Sequence, residues 1–180
     1  MIIAIAGRPG AGKSALAALL KRRGFTVIEL SAQIKLLMQK EHMRVNPYSI
    51  LEEGKALRRK YGKAAVARLA LEHNKIGRDM VFSGLRSKSE LNYLRKSLGK
   101  GVTLIYVTAP DRIRLKRLKI REPAYTAALM AHRDREEDKF GMGGLESSAD
   151  FIVSNVSSFK SLSSDLGVIL AMMRRGRSRR

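Results

Sequence analysis

Cysteine is absent from these 180 residues, and so is tryptophan. Without cysteine, neither a disulfide framework nor a thiolate-bound zinc can organise the fold. Acidic residues are scarce: 16 Asp and Glu stand against 36 Lys and Arg, a formal net charge of +20 at pH 7. Aromatic side chains make up only 6%, and the five Tyr and five Phe are scattered, without the paired aromatics of an RRM-type RNA-binding sheet. Long apolar runs are missing too. No stretch approaches the roughly 18 residues of a membrane-spanning helix. The first apolar segment, Met1 to Ala6, follows no basic residue and ends in a glycine-rich turn, the pattern of a short buried strand rather than a signal peptide or anchor. A cytoplasmic protein without a membrane partner is expected.

What is present fits one folded domain. Hydrophobic residues make up 44% of the chain, and runs such as Ile2-Ile3-Ala4-Ile5 and Val102-Thr103-Leu104-Ile105-Tyr106-Val107 recur, which argues against disorder. The length suits a single core, expected over residues 1–173, followed by a basic tail at 174–180. The positive excess points to polyanions, whether nucleic acid, nucleotides or an acidic surface, without choosing among them. Five of the seven tail residues are Arg, and without them the chain still carries +15.

Short apolar segments alternate with longer helical patterns, the signature of a parallel sheet with crossover helices. Strands are expected near 1–6, 25–30, 79–83, 101–107 and 150–154. Ser14 to Arg23 carries Leu16, Leu19 and Leu20 on one helical face. Ser87 and Glu90 form a capping box ahead of Leu91, Leu94 and Leu98, and Gly99 supplies the stop. The last helix shows Phe159, Leu162, Leu166, Leu170 and Met173 as a buried stripe, with Met172-Met173 filling core gaps. Two segments exceed a simple crossover. Residues 31–76 read as helical, with breaks at Asn46-Pro47 and Gly62, and residues 111–146 are dense in Arg and Lys, with Pro123 as an interruption. Both read as insertions over one edge of the sheet, where function concentrates.

Gly7-Arg8-Pro9-Gly10-Ala11-Gly12-Lys13-Ser14 matches the Walker A phosphate-binding loop, and it lies where the chemistry needs it, between an apolar strand and a helix that continues at Ala15. Glycines let successive N–H groups curl toward phosphate oxygens, and the helix terminus adds partial positive charge. Gly7 through Ala15 are therefore the candidate nucleotide-binding residues, with Lys13 for the β- and γ-phosphates and the Ser14 hydroxyl for Mg²⁺. ATP and Mg²⁺ are the expected cofactors. A second candidate is Gly84-Leu85-Arg86 after the third strand, because ligands sit at the carboxyl ends of parallel strands; a plain turn with a surface Arg is the equal alternative there.

With these residues in place the chain resembles the archaeal adenylate-kinase-related proteins, often labelled dephospho-CoA-kinase-like. The order of the P-loop, Arg58 with Tyr61-Gly62, Gly84-Leu85-Arg86, Arg133-Asp134-Arg135-Glu136-Glu137 and Ala149 to Asn155 carries the resemblance to about residue 172. It implies an α/β P-loop NTPase of the nucleoside-monophosphate-kinase type. Such a fold has a five-stranded parallel sheet flanked by helices, an acceptor-binding helical insertion and an Arg-rich lid. It also implies that Arg58 and Arg86 hold the acceptor's phosphate, that Arg117, Arg121, Arg133 and Arg135 grip the transferring group from the lid, and that Asn155 lies at the adenine edge. Each arginine has a solvated helix face as its bland alternative.

The chain departs from that pattern at two acids: Ala32 stands where the family has Asp after the second strand, and Ser83 where it has Asp after the third. A hydroxyl acceptor such as dephospho-CoA benefits from a carboxylate that takes its proton. A monophosphate, largely dianionic above its second pKa of about 6, does not. The losses favour a monophosphate acceptor over dephospho-CoA, and Ser83 weakens the Mg²⁺ site on either reading. Glu29 lies near the ligand edge, where pairing with a lysine is an equal account of it. His42, His73 and His132 sit singly on expected helices and read as surface residues. A nucleotide-binding protein with weakened catalysis, docked on RNA or a ribonucleoprotein through its basic surface, is the competing function.

Overall fold

The computed structural model describes residues 1–99 and 101–177. The chain runs β1 (Ile2–Ala6), α1 (Lys13–Arg22) and β2 (Thr26–Glu29), then α2 (Leu30–Lys40), α3 (Pro47–Tyr61) and α4 (Ala65–Glu72) to β3 (Met80–Leu85). It continues through α5 (Lys88–Leu98) to β4 (Val102–Thr108), through α6 (Asp111–Arg121), α7 (Ala127–Lys139) and the single turn α8 (Gly143–Glu146) to β5 (Phe151–Ser154), and ends in α9 (Phe159–Arg177). The strands form one sheet in the order β2-β3-β1-β4-β5, with every pairing parallel. All five expected strands are present, and the fold is the α/β P-loop architecture.

Near-continuous apolar strands arise because both faces of a parallel sheet are covered. Alternation divides them. Ala4, Phe82, Leu104 and Tyr106 face the layer that includes α2, α4 and α5. Ile3, Ile5, Val81, Ile105 and Val107 face α1 and α9. β1 lies between β3 and β4, so connections leave it toward both halves of the sheet, and its carboxyl end is the topological switch point where ligands bind in open α/β sheets. The β1–β3 register shifts between Ile5 and Ala6, just where the chain lifts off into the loop.

The first insertion becomes α2, α3 and α4. α3 starts where Asn46 accepts from Tyr48 N and Ser49 N at 2.9 Å and Ser49 Oγ accepts from Asn46 N, a closed capping box, and it stops at Gly62. The second becomes α6, α7 and α8, with Pro123 in the break between α6 and α7.

Some helix readings change. Ser87 Oγ accepts from Glu90 N at 3.2 Å, but the reciprocal half of that box is not made. Glu90 turns its carboxylate to Arg58 and to the backbone N–H of Arg86, because a buried guanidinium competes better for it than a cap amide. In α9, Leu162, Leu166, Ile169 and Leu170 form the buried stripe. Phe159 and Met172 lie outside it and are exposed; Phe159 instead packs beneath Arg22, 5.6 Å from its guanidinium carbon. His42 follows α2 in a positive-φ turn rather than on a helix. Arg174 and Arg175 continue α9, while residues 178–180 of the expected tail lie outside the described residues. Among the described residues no helix is long and apolar enough to cross a membrane.

Candidate functional site

The loop between β1 and α1 holds its shape through backbone that only glycine adopts. Gly10 has φ +78° and runs so close to α6 that an added Cβ would stand 2.7 Å from the carbonyl oxygen of Arg114. Gly12 has φ +109° and would drive a Cβ into the Asn155 amide. Gly12 is also the N-cap of α1, and no side chain caps that helix; the Ala15 N–H turns back to Gly12 O at 3.0 Å, which leaves the N–H groups of Lys13 and Ser14 for a ligand.

The loop's outward carbonyls are all engaged. Arg114 Nε donates to Pro9 O at 2.8 Å, Asn155 Nδ2 to Ala11 O at 2.8 Å, and Arg117 Nη1 to Ala11 O at 3.2 Å, with Arg117 Nη2 on Asn155 O at 3.0 Å. Arg114 is itself held by Asp134 at 2.6 and 2.8 Å and is almost fully buried. Arg8 pairs with Asp138 at 2.9 Å, and Ala11 and Ala15 pack on the core. With the Pro9 and Ala11 carbonyls drawn to these donors, neither is left to face an anion in the loop.

Lys13 Nζ donates to Gly7 O at 2.6 Å and to Arg8 O at 3.2 Å. Burial pushes its pKa down to about 8; Glu137 opposes that shift, and Arg86, Arg133 and Arg114 add to it. Facing the loop is a cleft of about 380 Å³ between the carboxyl ends of the strands and helices α6 and α7. Arg86, immediately after β3, Arg133 on α7, Arg121 at the end of α6 and Tyr125 line it. Between the two guanidinium groups sits Glu137, 2% exposed, its Oε1 3.5 Å from Arg86 Nε and 3.6 Å from Arg133 Nε. Arg86 Nη1, Arg133 Nε and Glu137 Oε2 are buried in the cleft and lack a hydrogen-bond partner, as does Arg58 Nε away from it. Buried polar atoms are normally satisfied, so orphans that converge on one cleft mark a place for a polar ligand. Burial pushes the Arg86 pKa down, with Glu137 opposing.

These contacts revise several sequence expectations. Arg117 and Asn155, expected at the transferring group and the adenine edge, brace the loop from behind. Arg58 does not line the cleft: its Nη2 donates to Glu90 Oε1 at 2.5 Å, its Nη1 to Gly54 O at 2.9 Å, and its guanidinium lies over Phe140 at 4.8 Å. The Arg58–Glu90 pair is buried on both sides, the kind whose disruption costs about 3–5 kcal/mol. Glu90 Oε2 accepts from Arg86 N at 2.7 Å, so Arg58 acts on the cleft only by fixing the backbone that carries Arg86. Arg135 is exposed, because positions two apart on a helix are turned about 200° and Arg133 takes the inward face. Gly84, Leu85, Arg86, Arg121 and Arg133 do border the cleft, as do Gly7, Pro9, Gly10, Gly12, Lys13 and Ser14, although the Leu85 side chain is in the core.

Sequence reading missed Arg114, Asp134 and Glu137. The i, i+4 spacing of Arg133 and Glu137 was the available signal for the last. No group of three or more His, Asp or Glu among the described residues could hold a metal ion unaided. The site nevertheless fits a nucleotide with Mg²⁺, which binds through few protein ligands plus phosphate oxygens: the N-terminus of α1, uncapped by any side chain, with Lys13, the Ser14 hydroxyl and the orphaned Arg86, is the set this needs.

Comparison with known proteins agrees with this geometry. Residues 3–139 match the family model described as AAA domain. The UPF0200 protein of Sulfurisphaera tokodaii is 36% identical over 173 residues, covering 92% of this chain and 94% of the relative. Among solved structures, TT1252 from Thermus thermophilus superimposes with a TM-score of 0.65 at 23% identity, covering 96% and 97% of the two chains. A shikimate kinase from Bacteroides thetaiotaomicron gives 0.61 at 16%, covering 95% and 98%. Identities this low establish a shared kinase-like fold and nothing narrower. The match over residues 3–139 and the 36% identity to a full-length relative go further: the chain belongs to the AAA-domain family of P-loop proteins and to the UPF0200 proteins.

Proposed function

We propose that this protein is an ATP-dependent phosphotransferase that moves the γ-phosphoryl group of ATP onto a nucleoside monophosphate. The observation that carries the reading is Arg86: a guanidinium at the carboxyl end of β3, lining the same cleft as Lys13, with Nη1 buried and unpartnered. A phosphate on the acceptor would satisfy it and offset the burial of its charge. Mg²⁺ bound with the nucleotide, held on the protein side by the Ser14 hydroxyl, would supply neutralisation of the phosphate charge. Lys13 serves the β- and γ-phosphate oxygens, while Arg121 and Arg133 offer positive charge from the lid side as the acceptor oxygen bonds to Pγ and the bond to the bridging oxygen breaks. A dianionic acceptor needs no base, in keeping with Ala32.

A hydroxyl acceptor, as in dephospho-CoA, is the second reading. The free Oε2 of Glu137 favours it, since a buried carboxylate oxygen accepts hydrogen and repels phosphate. A coupled assay with ATP and Mg²⁺ across AMP, CMP, GMP, UMP, dTMP and dephospho-CoA separates the two. Turnover with a monophosphate is expected. Turnover with dephospho-CoA alone moves the assignment to the second reading, and turnover with none leaves nucleotide binding without transfer.

A further inference from the structure

A P-loop Mg²⁺ is ordinarily held by the loop's Ser or Thr and by a carboxylate at the end of a neighbouring strand, often through metal-bound water. In this chain β3, the strand beside β1, carries Ser83-Gly84 just before its end at Leu85, which brings a hydroxyl and no carboxylate to that point. Three carboxylates line the cleft: Glu29, Glu122 and Glu137. Glu137 lies between Arg86 and Arg133, and Glu122 follows α6 on the lid side.

Glu29 differs from both. It is the last residue of β2, pairs in register with Ser83, and is one strand spacing, about 4.8 Å, farther from β1. Alternation fixes its face: Val27 and Val81 pack with Ile5 against α1, so Glu29 and Ser83, two residues on, belong to that same face, the one over which α1 begins with Lys13-Ser14. Glu29 is also the N-cap of α2, yet its side chain makes no capping hydrogen bond. Among the described residues no ion pair involves it, although the cleft holds Lys13, Lys35, Arg86, Arg121 and Arg133 and the chain carries +20. A solvated carboxylate in a cationic cleft, neither capping nor paired, is free to serve a cation brought in with the nucleotide.

We propose that Glu29 positions nucleotide-bound Mg²⁺ in this protein, accepting hydrogen bonds from metal-bound water in place of a carboxylate on β3. The inference rests on the reading that the P-loop binds a nucleotide, and its test separates the two. ADP affinity is measured by calorimetry with Mg²⁺ and with EDTA for the unaltered protein, Glu29→Gln, and Glu29→Gln combined with Ser83→Asp. Manganese EPR of the ADP complex reports the metal directly, and circular dichroism checks the fold. In the unaltered protein Mg²⁺ tightens ADP. Glu29→Gln is expected to shrink that metal-dependent gain roughly tenfold, the usual scale for losing an outer-shell metal partner, with ADP affinity in EDTA unchanged. Ser83→Asp in that background is expected to restore the gain by returning a carboxylate to the register position opposite. A Glu29→Gln protein that keeps the full Mg²⁺ gain, or that loses ADP affinity equally with and without metal, overturns the inference alone. Failure of the unaltered protein to bind ADP at all overturns the nucleotide reading and this inference with it.

Discussion

A lysine held at a pKa of about 8 is a consequence of where the P-loop puts it. Lys13 has two carbonyls for company, but burial removes the water that would stabilise its charge, and Arg86, Arg133 and Arg114 add repulsion. Below about 8 the folded protein bears the full cost of burying the ammonium. Between about 8 and the ordinary 10.5 the unfolded chain keeps a proton that the folded one has shed, so this group's contribution to stability rises with pH across that window. Polyphosphate in the loop should reverse the effect, because negative charge beside Nζ favours the ammonium. Binding of ADP at pH 8 is therefore expected to take up about half a proton through Lys13. Calorimetry in two buffers of different ionisation heat measures that uptake, and Lys13→Met should abolish it; equal heats in both buffers for the unaltered protein would contradict the assignment.

At the scale of elements, α7 shows what a helix selects from its own sequence. Arg133 and Arg135 are equivalent in composition, but the helix turns one toward Glu137 and the cleft and leaves the other exposed. Arg133→Ala is expected to lower kcat/KM by at least tenfold, about 1.4 kcal/mol, while Arg135→Ala stays within about twofold. Steady-state kinetics with the acceptor that the coupled assay identifies checks it, and equal losses at both positions would be incompatible with this orientation. The strands and the P-loop were legible in the sequence because their physics is local: a buried parallel strand is an apolar run, and a phosphate loop needs contiguous glycines before a helix. Arg58 was not legible, because its partner Glu90 is 32 residues away and nothing near Arg58 announces it. In α6 the burial runs against residue type. Ile120 is 75% exposed and Arg114 only 2%, because the Pro9 carbonyl and the Asp134 carboxylate satisfy the buried guanidinium, partners 105 and 20 residues away that nothing in the α6 segment announces.

Across the whole molecule, the +20 divides by use. Lys13, Lys35, Arg86, Arg121 and Arg133 line the cleft, and Arg8, Arg58, Arg114 and Arg117 are engaged in holding its walls. Much of the remainder is exposed: Arg112, Lys116 and Lys119 along α6, Lys21 near the end of α1, and Arg175 in α9. A single cleft for two phosphorylated ligands gives these surface cations no task, whereas an extended polyanion would meet many of them at once. We propose RNA as that partner. Affinity for a single-stranded RNA should then fall with salt, with a log–log slope of about −0.7 for each phosphate neutralised. Removing residues 174–180 should flatten the slope by roughly that amount for each phosphate that its arginines had neutralised, while ADP affinity holds, because the buried stripe of α9 ends at Leu170 and the packed Met173 precedes the cut. Fluorescence anisotropy over a salt series reads both proteins. Absence of binding at physiological salt, or a slope the truncation leaves unchanged, would return the end of the chain to the role of a solubilising segment and confine the protein's anion chemistry to the cleft.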